Sequence, residues 1–134
     1  MEGPSADRAR VRPRDLGILE LAYVGDSVCE LYIRLQLTLR GKRVGDMHRI
    51  TVAHVNAEAQ AEALGRIAPL LTREEADLVR RGRNARAHHD APHGMDPALY
   101  ARSTAFEALL GHLYITGQTD RLFRLLSVCM EDIR

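Results

Sequence analysis

The chain has 134 residues, 46% of them hydrophobic and 28% charged, with a formal net charge of only +1. That length suits one domain with one modest core, and the near balance of charge excludes a globally basic nucleic-acid binder. No apolar run is long enough to span a bilayer, and two widely separated cysteines, Cys29 and Cys129, fit no metal spacing.

The first fifteen residues, MEGPSADRARVRPRD, are polar and arginine-rich, with no apolar segment of the signal-peptide kind. They read as a tail over 1–14, followed by one domain over 15–134, and the chain reads as cytoplasmic. A first helix is expected from near Asp15, a candidate N-cap, to about Arg40, with Gly41 as its stop. A second starts near Asp46, with Met47, Ile50, Ala57, Ala61 and Leu64 at helical spacing until Pro69 breaks it. Thr72 and Glu75 have capping-box spacing and open a third helix, expected to run to Arg81 and stop at Gly82. Residues 83–96 show no periodicity and form the longest candidate loop. Asp96-Pro97 then opens a fourth helix, and Thr119 is a candidate cap for the last. No segment alternates long enough to be a strand, so the fold class is all-α.

Two helices carry the same oddity. In LELAYVGDSVCELYIR, Gly25 and Asp26 interrupt an apolar stretch; in STAFEALLGHLY, Glu107 is followed one turn later by Gly111. A glycine inside a helix costs about 1 kcal/mol relative to alanine and admits a close backbone neighbour because it has no Cβ. If the two helices cross at these glycines, Asp26 and Glu107 come together, and a divalent cation would relieve their repulsion. Two other readings stand beside that one. Gly25 can end one helix and Asp26 begin the next, with Ser27 and Glu30 at capping-box spacing, and Glu107 can be satisfied by Arg102 or Arg34.

Charge is also unevenly spread. Residues 15–41 hold four acids against two arginines, and residues 78–102 hold five arginines and three histidines against two acids. Such an asymmetry suits cation binding in one place and phosphate binding in another, although a solvated charge run has the same appearance. His88, His89 and His93 have no further ligand pattern around them.

LAYVGDSV resembles the ribonuclease III signature helix, and AFEALLGHLY the family's second motif. With MHRITVAHVNAEAQA and LTREEADLVRRGRNA between them, the likeness is to the small form, Mini-ribonuclease III, from about Leu16 onward. The resemblance implies the ribonuclease III catalytic fold as a helical homodimer. It implies Mg²⁺-dependent cleavage of double-stranded RNA to 5′-phosphate and 3′-hydroxyl ends, in maturation of the 23S ribosomal RNA precursor. It assigns Asp26 and Glu107 as the catalytic and metal-binding pair. Ala22 and Thr104 stand where the full-length family has a glutamate and an aspartate, as in the small form, which leaves one ion between Asp26 and Glu107. With no room for a separate RNA-binding domain, the catalytic domain itself would hold the duplex. Arginine forks suit phosphate, so Arg83, Asn84 and Arg86 are the first candidates, then Arg80, Arg81 and Arg102. The alternative is a non-catalytic ribonuclease III-like module that binds structured RNA in ribosome assembly.

Overall fold

A computed structural model describes residues 10–85, 91–131 and 133. Among these residues the regular structure is helical: a 3-10 turn at Pro13–Asp15, then α1 (Ile18–Leu39), α2 (Val44–Val55), α3 (Ala57–Ile67), α4 (Arg73–Asn84), α5 (Pro97–Ile115) and α6 (Thr119–Cys129), with a second 3-10 turn at Ala68–Leu70.

Helix α5 is the axis of the molecule. Its residues from Ser103 to Phe106 and from Ala108 to Gly111 are buried, as is Leu113, so the helix is covered on nearly all sides. Helix α1 lies along it with Leu21, Ala22, Cys29, Tyr32, Ile33 and Leu37 turned inward. Helices α3, α4 and α6 complete the core with Leu64, Ile67, Leu78, Leu122, Leu125 and Leu126. No helix among the described residues is long and apolar enough to cross a membrane.

Two expected caps are present. Thr72 Oγ1 accepts from Glu75 N–H at 3.1 Å while Glu75 Oε1 accepts from Thr72 N–H at 2.9 Å, which satisfies two orphan amides of α4. Asp96 accepts from Ala98 N–H at 2.9 Å, with Pro97 in the first turn of α5.

Four expectations are corrected. Helix α1 starts at Ile18 instead of Asp15, whose carboxylate is drawn into a 3.0 Å ion pair with Arg12. The expected second helix is two, because Asn56 adopts an extended backbone, accepts from Ala59 N–H and donates to the Val52 and Ala53 carbonyls. One amide side chain thereby ends α2 and begins α3. Gly82 does not stop α4, which continues to Asn84; a Cβ at Gly82 would stand 2.8 Å from the Cα of Ala105, so this glycine serves the approach of α4 to α5. Thr119 is the first residue of α6 and makes no side-chain cap.

Candidate active site

Helix α1 runs unbroken through Gly25-Asp26, which removes the reading of Asp26 as a helix cap. The glycines mark a crossing of two backbones. A Cβ on Gly25 would fall 1.7 Å from the carbonyl oxygen of Glu107, and one on Gly111 would fall 1.9 Å from the carbonyl oxygen of Leu21. No other residue fits there without the helices moving apart. The residue after Gly25 is thus held beside the turn of α5 that carries Glu107. Asp26 is exposed and Glu107 half-buried. Asp26 makes no side-chain hydrogen bond or ion pair among the described residues, and Arg34 is paired with Glu30 at 3.0 Å.

Beneath the crossing lies a buried polar layer. The pKa of the Cys29 thiol is pushed up to about 12, by burial first, with Glu107, Asp26 and Glu30 adding like-charge repulsion against an opposing contact from Gln60. One thiol therefore senses all three carboxylates, and it stays protonated at neutral pH. Gln60, from α3, also accepts a hydrogen bond from the hydroxyl of Ser103, which stands one turn before Glu107 on α5. Sequence reasoning missed Gln60 and Ser103. Their only signal was polarity at positions in register with Leu64 and Ile67 on α3 and with Phe106 and Leu110 on α5.

The expected phosphate-binding residues divide into two groups. Arg80 and Arg81 both turn back to Asp77, at 2.6 and 3.3 Å, and hold its carboxyl below the usual range. Arg83, Asn84 and Arg102 are exposed, and none has a hydrogen-bond or ion-pair partner among the described residues. Arg83 and Arg102 come together over a cavity of about 250 Å³ floored by small apolar residues of α3 and α4, among them Ala61, Gly65, Ala76 and Val79. Arg86, His88 and His89 lie outside the described residues. Among the described residues, no three acids, histidines or cysteines form a group that would hold a metal.

A family model, the ribonuclease III domain, matches residues 19–118, which include both glycines and both carboxylates. The chain belongs to the ribonuclease III family. It is an endoribonuclease of the small, Mini-ribonuclease III type. It is 48% identical over 122 residues to the Mini-ribonuclease 3 of Symbiobacterium thermophilum, covering 90% of this chain and 93% of that one. It is 46% identical over 121 residues to the Mini-ribonuclease 3 of Gloeobacter violaceus, covering 90% and 87%. A crystal structure of a Fusobacterium nucleatum protein superposes with a TM-score of 0.78 at 26% identity, covering 88% of this chain and 94% of the other. The family match makes the helical arrangement a ribonuclease III fold, and the Fusobacterium nucleatum structure shares that arrangement.

Proposed function

We propose that this ribonuclease III-family enzyme cleaves double-stranded RNA with Mg²⁺, as a homodimer, in maturation of the 23S ribosomal RNA precursor. The observation that supports the site most strongly is the double-glycine crossing, which sets Gly25, the residue before Asp26, against the backbone of Glu107.

The donor set fits Mg²⁺. It offers hard carboxylate oxygens from two residues and has an exposed side open to water, and this ion commonly takes one or two carboxylates while keeping several waters. Asp26 and Glu107 would hold it. When bound, it supplies a water of lowered pKa and charge stabilisation at the scissile phosphate. Hydrolysis would add a water oxygen to phosphorus and break the bond to the 3′ oxygen, leaving 5′-phosphate and 3′-hydroxyl ends. Asp26 and Glu107 would hold the ion, and their fixed backbones would spare the reorganisation that a flexible site would need.

Arg83, Asn84 and Arg102, with Arg86 in the adjoining segment, would grip the duplex backbone. Their free donors suit phosphate oxygens, and A-form RNA is read largely through phosphate and 2′-hydroxyl contacts. Arg80 and Arg81 contribute less, since Asp77 already neutralises part of their charge.

The dimer is supported by an unpartnered apolar face. Tyr23, Leu31, Leu35 and Leu39 recur at multiples of four along α1 with exposures of 83, 63, 41 and 73%. Tyr23, Leu31 and Leu35 line, with Tyr114 and Phe123, an apolar groove of about 330 Å³. A second copy related by a two-fold axis would cover this face with the same face. Asp26 and Glu30 lie on the next ridge of α1, so two sites would flank the interface, one for each RNA strand.

Asp26→Asn tests the site. Asparagine preserves shape and loses the charge that holds the ion. The variant is expected to fold, dimerise and bind duplex RNA, yet cut it at least a hundredfold more slowly. Full cleavage by a well-folded Asp26→Asn protein would refute the assignment.

A further inference from the structure

Gln60 is 1% exposed, yet nothing in the packing of the core asks for an amide there. Its Oε1 accepts from Ser103, and its Nε2 has no hydrogen-bond partner among the described residues. Burying an amide with one donor unmet costs about 1–3 kcal/mol, and leucine would fill the same space without that cost. Stability does not account for the residue. Its connection does. Ser103 lies four residues before Glu107 on α5, and Gln60 reaches it from α3. Ser103 is itself buried, at 6% exposure, so the contact is shielded from water and holds its geometry.

We infer that Gln60 is a positioning residue: through Ser103 it fixes the turn of α5 that carries Glu107, which packs beside the turn of α1 that carries Asp26. The glycines permit the two backbones to meet; the amide fixes rotation and register, which glycine contacts alone leave loose. This inference rests on the reading of Asp26 and Glu107 as the ion-holding pair. Its action is that of an outer partner of metal ligands, whose loss typically lowers metal affinity or activity by about 10- to 100-fold.

The test uses the full chain with Gln60→Leu, Ser103→Ala and the double variant. Four quantities are measured: the melting temperature, Mn²⁺ binding by calorimetry without RNA, duplex affinity without divalent ion, and single-turnover cleavage. Both single variants are expected to melt within a few degrees of the wild type and to bind duplex equally well. Their Mn²⁺ dissociation constants should rise, and their cleavage rates fall, by about 10- to 100-fold. The double variant should be no worse than the poorer single one, because both residues act through one contact. A lowered melting temperature with unchanged Mn²⁺ affinity and unchanged cleavage would assign Gln60 to stability alone and overturn the inference. Should Gln60→Leu fail to fold, a folded Ser103→Ala with wild-type Mn²⁺ affinity and rate overturns it equally. A wild type that neither binds Mn²⁺ nor cuts duplex would instead refute the nuclease site on which the inference stands.

Discussion

Gly25→Ala is the sharpest perturbation of this site, because two opposing effects can be weighed. In an isolated helix the change gains about 1 kcal/mol. Here the new methyl group would fall 1.7 Å from the carbonyl oxygen of Glu107, and its next neighbours are the carbonyl carbon and Cα of the same residue at 2.5 and 3.0 Å. The obstacle is backbone, so no side-chain rotation relieves it. Restoring ordinary contact requires α1 and α5 to separate by about 1.5 Å. Overpacking of this kind costs about 3 kcal/mol or more, which leaves a net loss of about 2 kcal/mol and a melting temperature lower by roughly 8 °C. The effect on catalysis should be larger than the effect on folding. On the proposed reading, a displacement of about 1 Å between groups that share one ion can cost about a hundredfold in rate, and the displaced residue would be Glu107 itself. Thermal unfolding at matched protein concentration and single-turnover cleavage of a long RNA duplex at a temperature where the variant is folded would measure the two effects separately. A Gly25→Ala protein as stable as the wild type, or one cutting at the wild-type rate while folded, would refute the crossing as the determinant of the site.

Charge at the duplex grip is tested by replacing Arg83 and Arg102 with alanine, which should weaken duplex binding and flatten its salt dependence by about one unit of log–log slope for each phosphate no longer neutralised; affinity unchanged at every salt concentration would move the binding surface elsewhere. Glu75 accepts from Arg121 at 2.9 and 2.7 Å and is held below its usual carboxylate range chiefly by that bond. Its folded-state value is depressed, so its contribution is present above the unfolded value near 4.5 and is lost as pH falls through the folded one. Glu75→Gln should therefore cost about 2 kcal/mol at pH 7 and lose less of its stability below pH 4.5 than the wild type does, as read from urea unfolding at several pH values. Sedimentation should give twice the 15.0 kDa chain mass for the wild type and a single chain for Leu31→Asp, whose leucine is 63% exposed on the apolar ridge; a dimeric Leu31→Asp protein would place the interface on another face.

The helix crossing beneath the candidate site is readable in the sequence because it violates a local rule twice. A glycine beside a carboxylate inside an apolar helix is unfavourable in isolation, and its recurrence in α1 and α5 points to a place where the helices meet. The same signal at Gly82 misleads, since its neighbours in RRGRN are polar and a glycine after arginines looks like a helix end. Only the approach of Ala105 reveals its purpose. The break at Asn56 is hidden for another reason. The apolar positions of α2 and α3 continue in phase across it, so periodicity alone joins two helices that the asparagine side chain separates. Gln60 leaves the faintest trace, because a single glutamine in NAEAQAEAL is indistinguishable from a surface residue until α5 and α1 are seen to cover it.

The two violated rules and the buried amide belong to one physical problem. On the proposed reading, two carboxylates that share an ion have to be held near each other by the fold, since like charges repel. Long side chains reaching toward each other from separate helices would relax apart. Here resistance comes from the backbone, with Gly25 and Gly111 giving up about 1 kcal/mol each of helix propensity in exchange for direct contact between α1 and α5. The remaining acids of the full-length family would make that problem harder. Ala22 and Thr104, at 5 and 2% exposure, occupy their places, and a second pair of charges buried there would need its own compensation. On the proposed reading, the small enzyme keeps the charge it can restrain and leaves the further oxygen ligands to water and the RNA phosphate.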